Sequence, residues 1–494
     1  MSEINTGFVR LAPGLIALLL LASASSGAHA AEQSSATPRT DCPRAMSMAP
    51  AAIEAEAVCL IRQYVQIDTT NPPGNELPAA QFLAALLARE GITATLFESA
   101  PGRANLYARL RGDGSHKAIM LVHHMDVVPA KPDEWSVPPF AGVLRDGYVW
   151  GRGTLDNKGP GIMEFLSFVM LKRLALPLTR DVVLLAVADE EQGGGMGARA
   201  MVADHFELLK DVEFALNEGG AMLKFEDGHT LNAIEFAQKV PLWLKLTASG
   251  PAGHASMPKP EAATHRLVRA LARLEQFQFP LTVVPEVQRV FAGRADKMPA
   301  AQAAAYRDLS KSLAEPAFRD KFLQDPHNAV MVRNSLAITM LSGSSKENVY
   351  PAQASAVLDL RLLPGQDPQA VVAEVKRVMQ EPDVVIETLL SSSAHSSSLD
   401  TVMFAAITAL IQRHQPGAQV TPHFIAGFTD CNTFRAKGIA CYGFMPMHLP
   451  MTEVDRVHGR DERIAVQDLV QSTLLLHELV SDVAGPARRV SALP

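Results

Sequence analysis

Five segments of the chain carry side chains of metal-ligating type. The apolar stretch AIMLV (118–122) runs into His123-His124-Met125-Asp126. WGRGTLDNKG (150–159) carries Asp156. LLAVADEEQGGGMG (184–197) ends in three successive acids, Asp189, Glu190 and Glu191, followed by glycines. VEFAL (212–216) ends in Asn217-Glu218, and far downstream VDRVHGRDER (454–463) offers His458. Adjacent carboxylates repel, and a buried strand does not end on three of them unless something cationic faces them. Histidine nitrogen and carboxylate oxygen suit zinc, and a catalytic zinc takes three protein ligands. Five candidates exceed one ion, whereas two ions about 3.5–4 Å apart that share a bridging carboxylate use all five. Taken singly, each acid reads as a helix cap or surface charge and each histidine as a hydrogen-bonded structural residue. Those readings do not explain acids ending consecutive buried strands. No arrangement of Cys, Ser or Lys competes with the set. The GGGMGA run (193–198) has Gly-x-Gly spacing, but the acids before it would repel phosphates and no ribose-binding context follows.

These residues need elements to hold them. Ala51 to Ile67 has helical spacing, with Ile53, Ala57, Leu60, Ile61 and Tyr64 on one face. DTTNPPGNE is a loop, and LPAAQFLAALLAREG a second helix stopped by Gly91. ITATLFE and ANLYARLRG read as strands. KAIMLVHHMDVVP and RDVVLLAVADEE are continuous apolar runs, the mark of central strands covered on both faces. Helices alternate with them at DNKGPGIMEFLSFVMLKRLAL and GARAMVADHFELL, before the strand VEFALNEGG. This alternation predicts an α/β sheet with a substantial parallel part. Ligands in such sheets sit beyond the C-terminal strand ends, where the metal-type residues fall.

The pattern changes near Val240. Leaving aside an irregular, partly helical segment at about 280–330, residues 240–396 read β-α-β-β-α-β, a ferredoxin-like unit. The α/β pattern then resumes through the final helix RIAVQDLVQSTLLLHELVSDV. The expected organisation is one catalytic domain, 51–239 with 397–494, interrupted by an α+β lid or dimerisation domain, 240–396.

Residues 1–30 read as a signal peptide: Arg10, the apolar run GLIALLLLASA, then Ala28-His29-Ala30. The run is shorter than the roughly 20 residues a membrane span needs. Residues 31–50 read as a disordered leader. A secreted or periplasmic protein with no membrane span after processing is expected. The 494 residues carry 45 basic and 52 acidic side chains without a basic block, which argues against nucleic acid as a partner. The four cysteines, Cys42, Cys59, Cys431 and Cys441, form no CxxC. Pairing Cys42–Cys59 and Cys431–Cys441 is one of three connectivities, and free buried thiols fit equally well.

HHMDVVP, GRGTLDNKG, ADEEQGG and NEGG together resemble the ligand segments of the M20 zinc metallopeptidase family. That family includes aminoacylase, carboxypeptidase S, glutamate carboxypeptidase and succinyl-diaminopimelate desuccinylase. The likeness runs in order over roughly residues 51–480, with the inserted domain in place. It implies a zinc-exopeptidase sheet-and-helix domain with a ferredoxin-like lid, holding two Zn2+, for which Co2+ or Mn2+ are substitutes. By position, Asp156 would bridge the ions, His124 and Glu218 would complete one site, and Glu191 and His458 the other. Asp126 would hold the second nitrogen of His124. His123 lacks the H-x-D spacing and would point to the other face of its strand. Asp189 has no ligand role and is expected to orient its neighbours. A cis Asp156–Asn157 peptide is implied.

Glu190 would then be the general base. GPAGHASMP matches the lid histidine segment, making His254 an oxyanion donor, often supplied from a partner subunit and so requiring a homodimer. ENVYPAQASAVLDLRLLPG places Asn348 and Arg361 at the substrate's carboxylate, and GFTDCNTF places Gly427 near the substrate backbone. The activity implied is hydrolysis of an amide adjacent to a free carboxylate, in a small peptide or alternatively an N-acyl amino acid. A catalytically inactive binding protein on the same fold is the different-class alternative, and intact Glu190 and all five ligands weigh against it.

Overall fold

The computed structural model describes residues 41–225, 230–295 and 298–486. The signal-like segment and residues 31–40 lie outside the described residues; the remainder of the expected disordered leader, 41–50, is instead packed, with Cys42 and Ala45 buried and Cys42 bonded to Cys59. Among the described residues no helix is long and apolar enough to cross a membrane.

The apolar run Arg180–Val187 is buried at all eight positions and lies inside a ten-stranded mixed sheet. Its neighbours are Arg103–Leu110, antiparallel, and His116–His124, parallel. Val212–Asn217 follows in parallel, then Ala440–Gly443. Side chains alternate across a strand, so one strand feeds two cores. Val182, Leu184 and Ala186 join Ile119 and Leu121 on one face, while Val183, Leu185 and Val187 join Met120 and Val122 on the other. The helix Lys158–Arg173 is buried from Lys158 to Leu171 and packs with Val466–Ala484 against the first face. Glycine permits the contact: a Cβ on Gly161 would stand 2.4 Å from the His123 ring.

Residues Val240–Ser249, Ser335–Ser342, Gln353–Leu362 and Val385–Ser391 form a second, four-stranded sheet, antiparallel throughout. Its order places the first and third strands at the centre, as a ferredoxin-like unit requires. Val240–Ser249 and Gln353–Leu362 alternate buried and half-buried, and the helices Ala263–Gln276 and Pro368–Met379 cover the apolar face.

Two features differ from the sequence reading. Thr230–Gln238, which the sequence left unassigned, is a strand of the large sheet. The irregular segment is a set of short helices, from Pro285–Arg294 to Pro326–Met331. Its Val287, Phe291, Tyr306 and Phe322 belong to the core of the large sheet rather than to that of the smaller one. Both of the disulfides left open by the sequence are formed, Cys42–Cys59 and Cys431–Cys441.

Candidate metal centre

Three parallel strands finish side by side. His124 pairs in register with Val187, and Leu121 with Leu216. The Asp189–Glu191 run and Glu218 therefore leave the sheet on the edge where His124 ends. Asp156 comes from the turn before the helix Lys158–Arg173, and its peptide bond to Asn157 is cis. His458 arrives on a loop after the short helix Met451–Val454, with a positive φ of 61°.

All five predicted ligands converge. His124, Asp156 and Glu218 form one group, and Asp156, Glu191 and His458 another, with one ligand atom of each residue within 4.8 Å of the others in its group. Asp156 serves both: its Oδ1 is 2.8 Å from His124 Nε2 and its Oδ2 is 2.9 Å from His458 Nε2. His124 Nε2 is 3.6 Å from Glu218, and His458 Nε2 is 3.3 Å from Glu191. Ligand bonds near 2.1 Å in a tetrahedron put neighbouring ligand atoms roughly 3.4 Å apart, close to these spacings. Glu190 Oε1 is buried without a hydrogen-bond partner. An unsatisfied buried acceptor beside a nest of histidines and carboxylates fits divalent cations.

The electrostatics of the group are those of a charged set sharing one pocket. Burial works to lower the His124 pKa, but Glu218, Asp126 and Asp156 outweigh it and hold the ring well above its usual value. Burial works to raise Asp156, and His124 and His458 reverse this, holding it far below the carboxylate range. Hydrogen bonds with Asp156 and Glu191 push His458 up to about 10. Burial lifts Glu191 to about 7 against the pull of His458. Burial, then Glu218, lifts Glu190 well above the ordinary range. A bound dication inverts such shifts by favouring the ionised carboxylates.

The carboxylates are aimed from behind. The N–H groups of Glu190 and Glu191 donate to Asp126 Oδ1 and Oδ2, at 3.1 and 3.2 Å. His124 Nδ1 lies 3.0 Å from the main-chain oxygen of Asp126 and 3.4 Å from its carboxylate. The backbone carbonyl thus makes the shorter contact with the ring, and the Asp126 side chain chiefly holds the glutamate pair. Asn71 links Asp126 to Asp189, at 2.8 and 3.0 Å. Asp189, in the left-handed region at φ 68°, also accepts from Arg103 at 2.7 Å. The cation facing the first of the three acids is therefore Arg103. Gly193 and Gly194 take φ of 93° and 71°, turning the chain away at once. His123 points to the other face, 3.0 Å from the buried Glu164.

The sequence reading missed Glu462. It is fully buried and accepts the N–H groups of Gly153, Leu155 and Asp156 at 3.1, 2.7 and 3.1 Å. It also pairs with Arg152 at 2.6 Å, and Arg152 in turn donates to the carbonyls of His458 and Gly459 at 3.2 and 2.8 Å. This clamp ties the Asp156 turn to the His458 loop. Asp430 was also passed over. Buried near the glutamates, it is lifted to about 8, by burial first and then, against the pull of His124, by Asp126 and Glu218.

The lid residues stand apart from the cluster. His254 and Asn348 meet at a small two-stranded antiparallel sheet, where Ala255 N–H donates to the Asn348 carbonyl at 2.9 Å, and both are exposed. Arg361 pairs with Asp359 at 2.7 Å and lies 4.9 Å over the Phe428 ring, next to Gly427. Gly427 is exposed, with open space where a Cβ would stand. Among the described contacts none of these four joins the metal-type cluster.

Residues 120–482 match the model of peptidase family M20/M25/M40. The chain belongs to this family. This M20 chain is 32% identical over 388 residues to an N-fatty-acyl-amino acid synthase/hydrolase of Xenopus tropicalis, covering 75% of the chain and 74% of the relative. It is 26% identical over 450 residues to aminoacylase-1 of Sus scrofa, covering 89% and 97%. Its fold is that of an M20 metallo-carboxypeptidase from Sulfolobus solfataricus, with a TM-score of 0.68 at 19% identity over 86% of this chain and 98% of that one. The protein is an M20 hydrolase acting on amide bonds, with a central mixed sheet, helices and a lid.

Proposed function

We propose that this M20 hydrolase is an exported, dinuclear zinc-dependent enzyme that cleaves an amide bond adjacent to a free carboxylate. The observation that carries the reading is the pair of ligand groups sharing Asp156, with buried Glu190 beside them. His124, Glu218 and one oxygen of Asp156 would hold one ion; Glu191, His458 and the other oxygen would hold the second. Cobalt or manganese would substitute. Such ions, when bound, polarise a scissile carbonyl and lower the pKa of water. Glu190 takes the proton of the attacking water as the C–O bond forms, and delivers it to the leaving nitrogen as the C–N bond breaks. The products are a carboxylic acid and a free amine. Asp126 holds the backbone of Glu190 and Glu191 in place for this transfer. Arg361, with Asn348, receives the substrate's carboxylate through its planar fork, and Gly427 leaves room for the substrate backbone. His254 stabilises the oxyanion. Its exposed position on the lid, apart from its own chain's cluster, favours donation across a homodimer through the lid. There the edge strand Ser335–Ser342 leaves Met340 and Leu341 65% and 69% exposed. Disulfides persist in oxidising compartments, so the two formed here support export to the periplasm or beyond. Zinc titration of metal-free protein, followed by a panel of dipeptides and N-acyl amino acids, tests the reading. Two equivalents bound and turnover of at least one class are expected; no tight zinc binding and no turnover would overturn it.

A further inference from the structure

Asp430 is a buried carboxylate that the fold itself does not use. The residue is 5% exposed. Among the described residues its side chain has no hydrogen-bond or ion-pair partner, and it does not cap the short helix Cys431–Arg435 that follows it. A buried carboxylate without a donor costs free energy. Its backbone, by contrast, is held on both sides. Gln238 Nε2 donates to the Thr429 carbonyl at 2.9 Å, and Thr429 Oγ1 donates back to Gln238 Oε1 at 3.0 Å. Cys431 N–H donates to Thr429 Oγ1 at 3.2 Å, and Cys431 is bonded to Cys441. A side chain left free on a fixed backbone is preorganised for something outside the chain.

Asp430 lines a small cleft together with Gly193, Arg199, Gln238 and Phe428. The turn that follows Glu190 and Glu191 runs directly against it. A Cβ on Gly194 would stand 2.8 Å from Asp430 Oδ1 and 3.8 Å from Arg199 Cγ. Glycine there keeps the carboxylate open, although Arg199 does not pair with it. On one side the charge of Asp430 acts on Glu190. On the other lies Phe428, the ring beneath Arg361. Asp430 therefore stands between the proposed base and the proposed anchor of the substrate's carboxylate. In an amide substrate, the scissile nitrogen occupies that interval.

We propose that Asp430 accepts a hydrogen bond from the scissile N–H and so sets which way that nitrogen turns its lone pair. This rests on the hydrolase reading above and adds a residue to it. Attack of water makes the nitrogen pyramidal. Its lone pair must then face Glu190, which delivers the proton, while its N–H points elsewhere. An acceptor at Asp430 holds the N–H in that orientation. No proton moves to Asp430: the leaving amine keeps the amide's hydrogen and gains the one from Glu190. A carboxyl group keeps an acceptor oxygen whether ionised or protonated, so the role needs no particular charge state.

The test compares an amide with the ester that replaces its N–H by oxygen. N-hexanoyl-alanine is set against O-hexanoyl-lactate, and Leu-Ala against leucyl-lactate, on zinc-loaded full-length protein. Asp430→Leu removes the acceptor at similar size. It lowers the amide-to-ester ratio of kcat/KM by about tenfold to hundredfold, the loss of a charge-assisted hydrogen bond. Asp430→Asn retains a carbonyl acceptor and recovers most of that ratio. A misfolded or displaced site would lower amide and ester turnover together and leave the ratio alone. An unchanged ratio in Asp430→Leu, or an equal fall in both variants, overturns the proposal. If no amide and no ester reacts, the hydrolase reading has failed, and Asp430 is then judged by calorimetry with alanine and lactate. Alanine binding weakened at least about tenfold in Asp430→Leu, with lactate binding unchanged, upholds Asp430 as an N–H acceptor. No difference between the two ligands overturns it.

Discussion

Glu462→Gln probes how the site is held rather than what it does. The substitution keeps the shape of the side chain and removes its charge. Arg152, whose side chain is 2% exposed, then loses its buried counter-charge. Breaking a buried pair by removing one partner costs about 3–5 kcal/mol. The new amide NH2 also cannot accept from the N–H groups of the 153–156 turn, so at least one is left without its partner. An unsatisfied buried donor costs about 1–3 kcal/mol, partly the same energy counted twice. Burial raises the Glu462 carboxyl above its usual range, with Arg152 acting against it. Part of the loss is therefore recovered when the charge is removed, which points to the lower end, about 3 kcal/mol. The change is read from the shift in urea-unfolding midpoint. Because the clamp joins the Asp156 turn to the His458 loop, zinc affinity falls as well, by about 10–100-fold, the usual effect of losing a partner behind a ligand. Competition with a chelator measures it. Arg152→Met should weaken the same loop contacts, and the double variant should lose less than the sum of the singles. A Glu462→Gln protein with wild-type stability and zinc affinity would refute the clamp.

Further outcomes follow from the same geometry. Asp156→Asn weakens both proposed zinc sites, whereas His458→Ala spares the His124–Glu218 group. After dialysis the first retains almost no zinc and the second about one equivalent, by elemental analysis. Arg435, buried against Glu235 at 2.7 Å, predicts that Arg435→Met costs about 3–5 kcal/mol in chemical denaturation. Arg435→Met with Glu235→Leu should cost less than Arg435→Met alone, because no buried charge is left unpaired. Cys42 and Cys59 are separated by 17 residues, so Cys42→Ser with Cys59→Ser lowers stability by about 3 kcal/mol through loop entropy.

The convergence of the five residues was legible because chemistry and periodicity coincide in the sequence. Each apolar run ends where its acid or histidine begins, and parallel neighbours bring those ends together whatever the rest of the fold does. His123 was separable from His124 for the same reason, since adjacent strand residues face opposite ways. Thr230–Gln238 was hidden by its own polar residues. Asn232, Glu235 and Gln238 are fully buried, and Glu235 is compensated by Arg435, 200 residues away. No local pattern announces such a pairing. Glu462 escaped for a similar reason, because its partners on the 153–156 turn lie more than 300 positions earlier. The role of Asp126 was half visible. H-x-D spacing placed it beside His124, but the backbone N–H groups it holds belong to a different strand end. Arg103 looked like an ordinary strand residue, and only folding shows that it faces Asp189.

The central claim is that Glu190 moves the proton while the five other side chains hold the ions. Glu190→Gln tests it most directly, with bound zinc and turnover measured on the same sample. The account predicts two zinc equivalents retained and kcat reduced at least about 10²–10⁴-fold, the range a positioned acid–base group supplies. Unchanged turnover with both ions in place would contradict it.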